Sequence, residues 1–157
     1  HSLAAVQFGM TGDQPVAADY DGDGKADFGI FRPSTGVWYI QRTGDGGFTI
    51  FQFGALNDRV VPGDYDADGK ADLAVWRPST GVWYVLRSSD SGFTIVLFGN
   101  AGDVPLSGDF EGDGKFDMTI FRPSDGNWWT LRSSDNSAQV LNYGVGTDVV
   151  VPASFVR

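Results

Sequence analysis

Short apolar runs separated by glycine, proline, aspartate and serine recur along the whole chain. In one such group Phe28 to Arg32 ends at Pro33, PSTG turns the chain, Val37 to Gln41 follows, TGDGG turns it again, and Phe48 to Phe53 closes the group. With a further run leading up to Asp19, the pattern predicts four short strands joined by hairpin turns, an antiparallel sheet. Alternation within VWYIQR places Val37 and Tyr39 on one face and Trp38 and Ile40 on the other. Both faces are apolar, so the sheet has to be covered on both sides.

The group repeats. Asp19 to Trp38 reads DYDGDGKADFGIFRPSTGVW, returns at Asp64 as DYDADGKADLAVWRPSTGVW, and again at Asp109 as DFEGDGKFDMTIFRPSDGNW, a step of 45 residues without insertion. Phe8-Gly9, Phe53-Gly54, Phe98-Gly99 and Tyr143-Gly144 keep the same step. A fixed period of this length, with four strands per unit, predicts an all-β chain of tandem four-stranded antiparallel blades of the β-propeller type, neighbouring units covering each other's faces. The whole chain, 1–157, reads as one repeat domain: 1–8 as the last strand of a unit, 9–54, 55–99 and 100–144 as three units, and 145–157 as the truncated start of a fourth. In that last copy Ser154 stands where the loop would begin. Trp38, Trp83 and Trp128, with Tyr39, Tyr84 and Trp129, recur in step and are expected in the core between units, where aromatics contribute most. Arg32, Arg77 and Arg122, each before Pro-Ser, are expected to tie a loop or carboxylate within the unit.

Composition narrows the function. Nineteen aspartates stand against one glutamate, and the formal net charge is −9, which speaks against a nucleic-acid partner and favours cations. No cysteine is present, so neither disulfides nor thiolate metal sites enter. Apolar stretches such as Phe93 to Phe98 are too short to insert in a membrane, and His1 to Phe8 lacks the charged start and long apolar run of a signal peptide, as in a mature chain or a fragment.

The chemistry lies in the pattern DxDxDGxxD. It appears as Asp19, Asp21, Asp23, Gly24 and Asp27, then as Asp64, Asp66, Asp68, Gly69 and Asp72, and with one change as Asp109, Glu111, Asp113, Gly114 and Asp117. Four carboxylates within nine residues repel one another unless a cation neutralises them. Calcium takes six to eight oxygens, and acids at positions one, three and five, a glycine at six for the sharp turn and a main-chain carbonyl at seven follow the logic of a calcium loop. The carbonyls would be those of Lys25, Lys70 and Lys115. A final acid at nine rather than twelve, between strands, excludes an EF-hand. Zinc or copper would want histidine or cysteine, and the only histidine is His1. Glu111, one methylene longer than aspartate, marks the third loop as the weakest. Three divalent ions would bring the formal charge from −9 to −3.

These loops, the Phe-Gly pairs and the dipeptides Gly12-Asp13, Asn57-Asp58 and Gly102-Asp103 resemble the FG-GAP and VCBS repeats, which build the propeller of integrin α subunits and of many secreted bacterial proteins. The resemblance implies a loop between the first two strands of a blade that binds calcium on one rim. It also implies a place outside the cell or on its surface, and a role in adhesion or in lectin-like or accessory binding.

Catalysis is not expected: no usable histidine or cysteine is available for a triad, the paired acids belong to the loops, and Asp45, Asp90 and Asp135 occupy turns. The expected function is that of a calcium-binding module for adhesion or for a glycan or protein ligand, with a self-assembling structural protein as the alternative. Three blades do not close a ring. Further blades of a larger chain, or other copies in a homo-oligomer, ring or fibre, would then cover the end faces, with Leu3 to Phe8 and Val149 to Phe155 as joining strands.

Overall fold

The structure, a computed structural model, describes residues 7–150. Of the end strand expected over 1–8 only Gln7 and Phe8 fall within it, and the lead-in to a fourth loop, with Ser154, lies outside the described residues from Val151 onward.

Twelve strands and no helix occur among the described residues. They form three four-stranded antiparallel sheets in simple meander order. The first holds β1 (Gln14–Pro15), β2 (Phe28–Arg32), β3 (Val37–Gln41) and β4 (Phe48–Gln52). The second holds β5 (Arg59–Val60), β6 (Leu73–Arg77), β7 (Val82–Leu86) and β8 (Phe93–Leu97), and the third β9 (Val104–Gly108), β10 (Asp117–Arg122), β11 (Asn127–Leu131) and β12 (Ala138–Asn142). β2 and β3 match the strands expected from the alternation. The fourth strand stops one residue short of Phe53: the Phe53 N–H still donates to Gly36 O at 2.8 Å, as Phe98 does to Gly81 O at 2.9 Å, but the return bond is lost because the Gly36 and Gly81 N–H groups donate to Arg32 O and Arg77 O in the turn. The following glycines, Gly54 and Gly99, have φ of 121° and 115°, backbone that a side chain would strain. In the first two sheets the strand before the acidic loop is a two-residue pairing followed by a single bridge, Ala18 to Asp27 and Gly63 to Asp72.

The core lies between consecutive sheets. Phe31 and Trp38 of the first sheet pack on Val75 of the second, with Val60, Leu73 and Tyr84 half-buried beside them. Ala74, Trp76, Trp83 and Val85, on the other face of the second sheet, pack on Met118 and Ile120 of the third, with Trp129 and Leu131 alongside. Both interfaces therefore join the tryptophan face of one sheet to the opposite face of the next. Burial follows the neighbours: Trp38 and Trp83 are fully buried, whereas Trp128 is only half-buried. At the equivalent position on the opposite face, Phe28 is 52% exposed and Met118 7%.

Each sheet is closed at one end by the arginine that precedes Pro-Ser. Arg32 holds Asp13 through Nε and Nη2 at 2.8 and 2.9 Å, and Arg77 and Arg122 hold Asp58 and Asp103 with the same two atoms, all at 2.9 Å. The guanidinium also lies over an aromatic ring of the third strand, 4.6 Å from the centroids of Tyr39 and Tyr84 and 5.2 Å from that of Trp129. Such fork-shaped pairing combined with stacking is available to arginine and not to lysine. The expected tie to a carboxylate is found, and its partner is the aspartate nineteen residues upstream.

Candidate metal centres

Each acidic loop wraps around its first carboxylate. Asp19 Oδ1 accepts the N–H groups of Gly22 and Asp23 at 2.7 and 3.2 Å, and Oδ2 accepts that of Gly24 at 2.8 Å. Asp64 receives Ala67, Asp68 and Gly69 in the same way, and Asp109 receives Gly112, Asp113 and Gly114. The wrap needs left-handed backbone at the sixth position, where Gly24, Gly69 and Gly114 have φ of 83°, 86° and 91°.

The ninth-position acid fastens the loop to the sheet. Asp27, Asp72 and Asp117 are buried; one oxygen of each accepts the N–H of Tyr20, Tyr65 or Phe110, and the other that of Thr43, Ser88 or Ser133 in the turn after the third strand. Burial pushes the Asp72 carboxyl up to about 6, the N–H groups of Ser88 and Tyr65 offsetting only part of that cost and the nearby Asp66 adding to it. A cation beside such a group would favour its charged form.

In the first two loops the acids at positions one, three and nine converge. Asp19, Asp21 and Asp27 offer carboxylate oxygens that all lie within 4.8 Å of one another, and so do Asp64, Asp66 and Asp72. The fifth-position acids are turned elsewhere: Asp23 accepts Lys25 N at 2.9 Å and Lys25 Nζ at 3.2 Å, and Asp68 accepts Lys70 N at 2.9 Å and Ser88 Oγ at 2.7 Å. In the third loop Asp113 likewise takes Lys115 N at 2.9 Å. The side chain of Lys70 lies against Gly22 of the first loop.

One atom tests whether these residues suit a metal. Asp66 Oδ2 accepts Ser89 Oγ at 2.6 Å, while its Oδ1 is buried and has no hydrogen-bond partner. A buried carboxylate oxygen without a donor is costly, and a hard cation among Asp64, Asp66 and Asp72 would remove that cost. The donor set is all oxygen, which suits calcium and not zinc or copper.

The third loop differs. Asp109, Glu111 and Asp117 form no comparable group among the described residues. Glu111 is held by Arg132, and it also accepts Ser134 Oγ at 2.9 Å and Ser134 N at 3.2 Å.

Sequence reasoning missed the turn after the third strand as a partner of the loops. Thr43, Ser88, Ser89, Ser133 and Ser134 all donate to loop acids. Its signal was the recurrence of Arg-Ser-Ser-Asp at 87–90 and 132–135, in step with Arg-Thr-Gly-Asp at 42–45. Neighbouring loops also touch: Ala71 N donates to Asp19 O at 2.6 Å, and Phe116 N to Asp64 O at 2.7 Å.

Residues 19–75 match the family model of the FG-GAP-like repeat, in agreement with the resemblance carried by the acidic loops and Phe-Gly pairs. A search of curated proteins gave no match. No helix among the described residues is long and apolar enough to cross a membrane.

Proposed function

We propose that the chain is a calcium-binding, non-catalytic repeat module of the β-propeller type that serves adhesion or ligand binding outside the cell or on its surface. The observation that carries the reading is the convergence of three carboxylates in each of the first two loops, together with the partnerless Asp66 Oδ1. Asp19, Asp21 and Asp27 would hold one ion and Asp64, Asp66 and Asp72 another. Bound calcium supplies positive charge that ties each loop to its sheet, a structural and not a chemical role. Extracellular calcium modules work at roughly 10⁻⁴–10⁻³ M, a range suited to partly exposed loops such as these.

A place for a ligand lies beside the first loop. Tyr20, Phe51, Arg42, Lys70 and Arg87 line a groove of about 430 Å³ between the first and second sheets, next to Asp21. Aromatic faces with cationic groups at the edge suit a glycan or an acidic side chain. Calcium titration followed by calorimetry, with a glycan array on the loaded protein, tests both halves. Heat of calcium binding with array hits supports the reading; absence of calcium heat refutes it.

A second reading, assembly through the end sheets, rests on the sidedness of the interfaces. The third sheet presents half-buried Trp128 on the face that internal sheets bury, and the first presents Phe28 on the complementary face. Further repeats of a longer chain or another copy of this one would cover them. Sedimentation in millimolar calcium separates the possibilities, a monomer with unchanged mass across concentration arguing against assembly between copies.

A further inference from the structure

Arg42, Arg87 and Arg132 occupy the same place in the three repeats, directly after the third strand, yet they do not do the same thing. Arg42 grips Asp45 with Nε and Nη2 at 3.0 and 2.9 Å and rests Nη1 on Thr49 Oγ1 at 2.8 Å. Arg87 repeats this on Asp90, at 3.0 Å for both bonds, and on Thr94 at 2.7 Å. Arg132 has Asp135 at the same spacing but pairs with Glu111 of the acidic loop, while Asp135 keeps the turn bond common to all three repeats, accepting the Ser137 N–H at 2.9 Å as Asp45 and Asp90 accept those of Gly47 and Gly92. Two sequence changes accompany the switch. The threonine that anchors the arginine is Gln139 in the third repeat, and the third-position acid is glutamate, long enough to reach across to the turn.

We propose that the Arg132 guanidinium takes the place of a cation in the third loop, so that the chain holds calcium at its first two loops and closes the third by itself. The inference rests on the calcium reading above and deepens it. In the first two loops Arg42 and Arg87 are engaged by Asp45 and Asp90, and the three converging carboxylates are left for an external ion, whereas in the third an internal cation already pairs with the third-position acid. Glu111 is left with little to offer a metal: one oxygen faces Arg132 and Ser134 Oγ, the other takes the Ser134 N–H, and its side chain is only 10% exposed. The three-carboxylate group found twice is absent from the third loop among the described residues for the same reason.

The test is a count of calcium ions bound per chain, by equilibrium dialysis in the millimolar range, for the unaltered protein and two variants. Arg132→Met frees Glu111, and Glu111→Asp with Gln139→Thr restores the acid and the anchor of the first two repeats while keeping the arginine. Two ions are expected for the unaltered chain and three for each variant. Three ions in the unaltered chain, or a count that stays at two in the double variant, overturns the proposal and leaves the calcium reading standing. No bound ion in the unaltered chain overturns both. Should Arg132→Met fail to fold by circular dichroism, the double variant alone decides.

Discussion

Replacing Trp83 by alanine probes the packing of sheet on sheet. Trp83 is fully buried between the second and third sheets, and its Nε1–H donates to Phe98 O at 2.9 Å. That carbonyl also accepts Trp76 Nε1 at 3.1 Å, so it keeps a partner and the hydrogen bond contributes little to the loss. The remaining cost is that of emptying a large aromatic site in a core, about 3–5 kcal/mol. For a chain of this size each kcal/mol lowers the melting temperature by about 2–4 °C, so Trp83→Ala should melt about 6–20 °C lower. Trp38→Ala should behave alike, since Trp38 is buried against the second sheet. Trp128, at the same position in the third repeat, is half-buried, and its alanine variant should cost about half as much by lost area. Scanning calorimetry in fixed millimolar calcium, with urea unfolding as a second probe, measures the three side by side. Equal losses at all three positions would refute the inference that burial is set by the following sheet within residues 7–150, and would show that something else covers Trp128.

Acid should weaken the fold in part through Asp13. The Arg32 guanidinium, through its two hydrogen bonds, holds the Asp13 carboxyl below the usual carboxylate range despite the opposing effect of burial. Because the folded value lies below the unfolded one, near about 4, the pairing stabilises the fold above that pH, and the contribution is lost as pH falls through the folded value. Arg32→Met should therefore flatten the dependence of melting temperature on pH below about 4; an unchanged slope would contradict the pairing. Gly69→Ala should cost about 1 kcal/mol, from left-handed backbone strain alone, because a Cβ there meets nothing within 4 Å. Ala67→Gly should do the reverse, since Ala67 holds φ of 63° where the other loops have Gly22 and Gly112; urea midpoints read both. Asp66→Ala should abolish calcium binding at the second loop, whereas Asp68→Ala, whose carboxylate is bonded to Lys70 N and Ser88 Oγ, should only weaken it, as calorimetric titration would report.

Strands two and three of each sheet were legible because alternation and turn residues act locally, so VWYIQ bounded by Pro-Ser-Thr-Gly and Thr-Gly-Asp leaves little choice. The arginine ties were legible only as an expectation of some carboxylate. Asp13 and Arg32 are nineteen residues apart, and only the pairing of β1 with β2 brings them together. The acidic loops announced oxygen chemistry through their spacing, yet the division of labour among the acids was not readable. Whether Asp68 faces the group or Ser88, and whether Glu111 faces a metal or Arg132, depends on the turn after the third strand, which the one-dimensional pattern does not place beside the loop. The tryptophans were expected between units by their period, but the difference between Trp83 and Trp128 follows from what lies on the far side of each sheet.

The central claim, that the first two loops hold calcium and that the fold draws stability from it, is tested most directly by scanning calorimetry across a calcium titration with a chelator control. An ion that binds only the folded state adds about 2.7 kcal/mol per site at a hundredfold excess over its dissociation constant. The melting temperature should therefore climb steadily as calcium rises through the millimolar range, stay nearly flat with magnesium, and return to its starting value when chelator is added. A melting curve that calcium and chelator both leave unchanged would contradict the account.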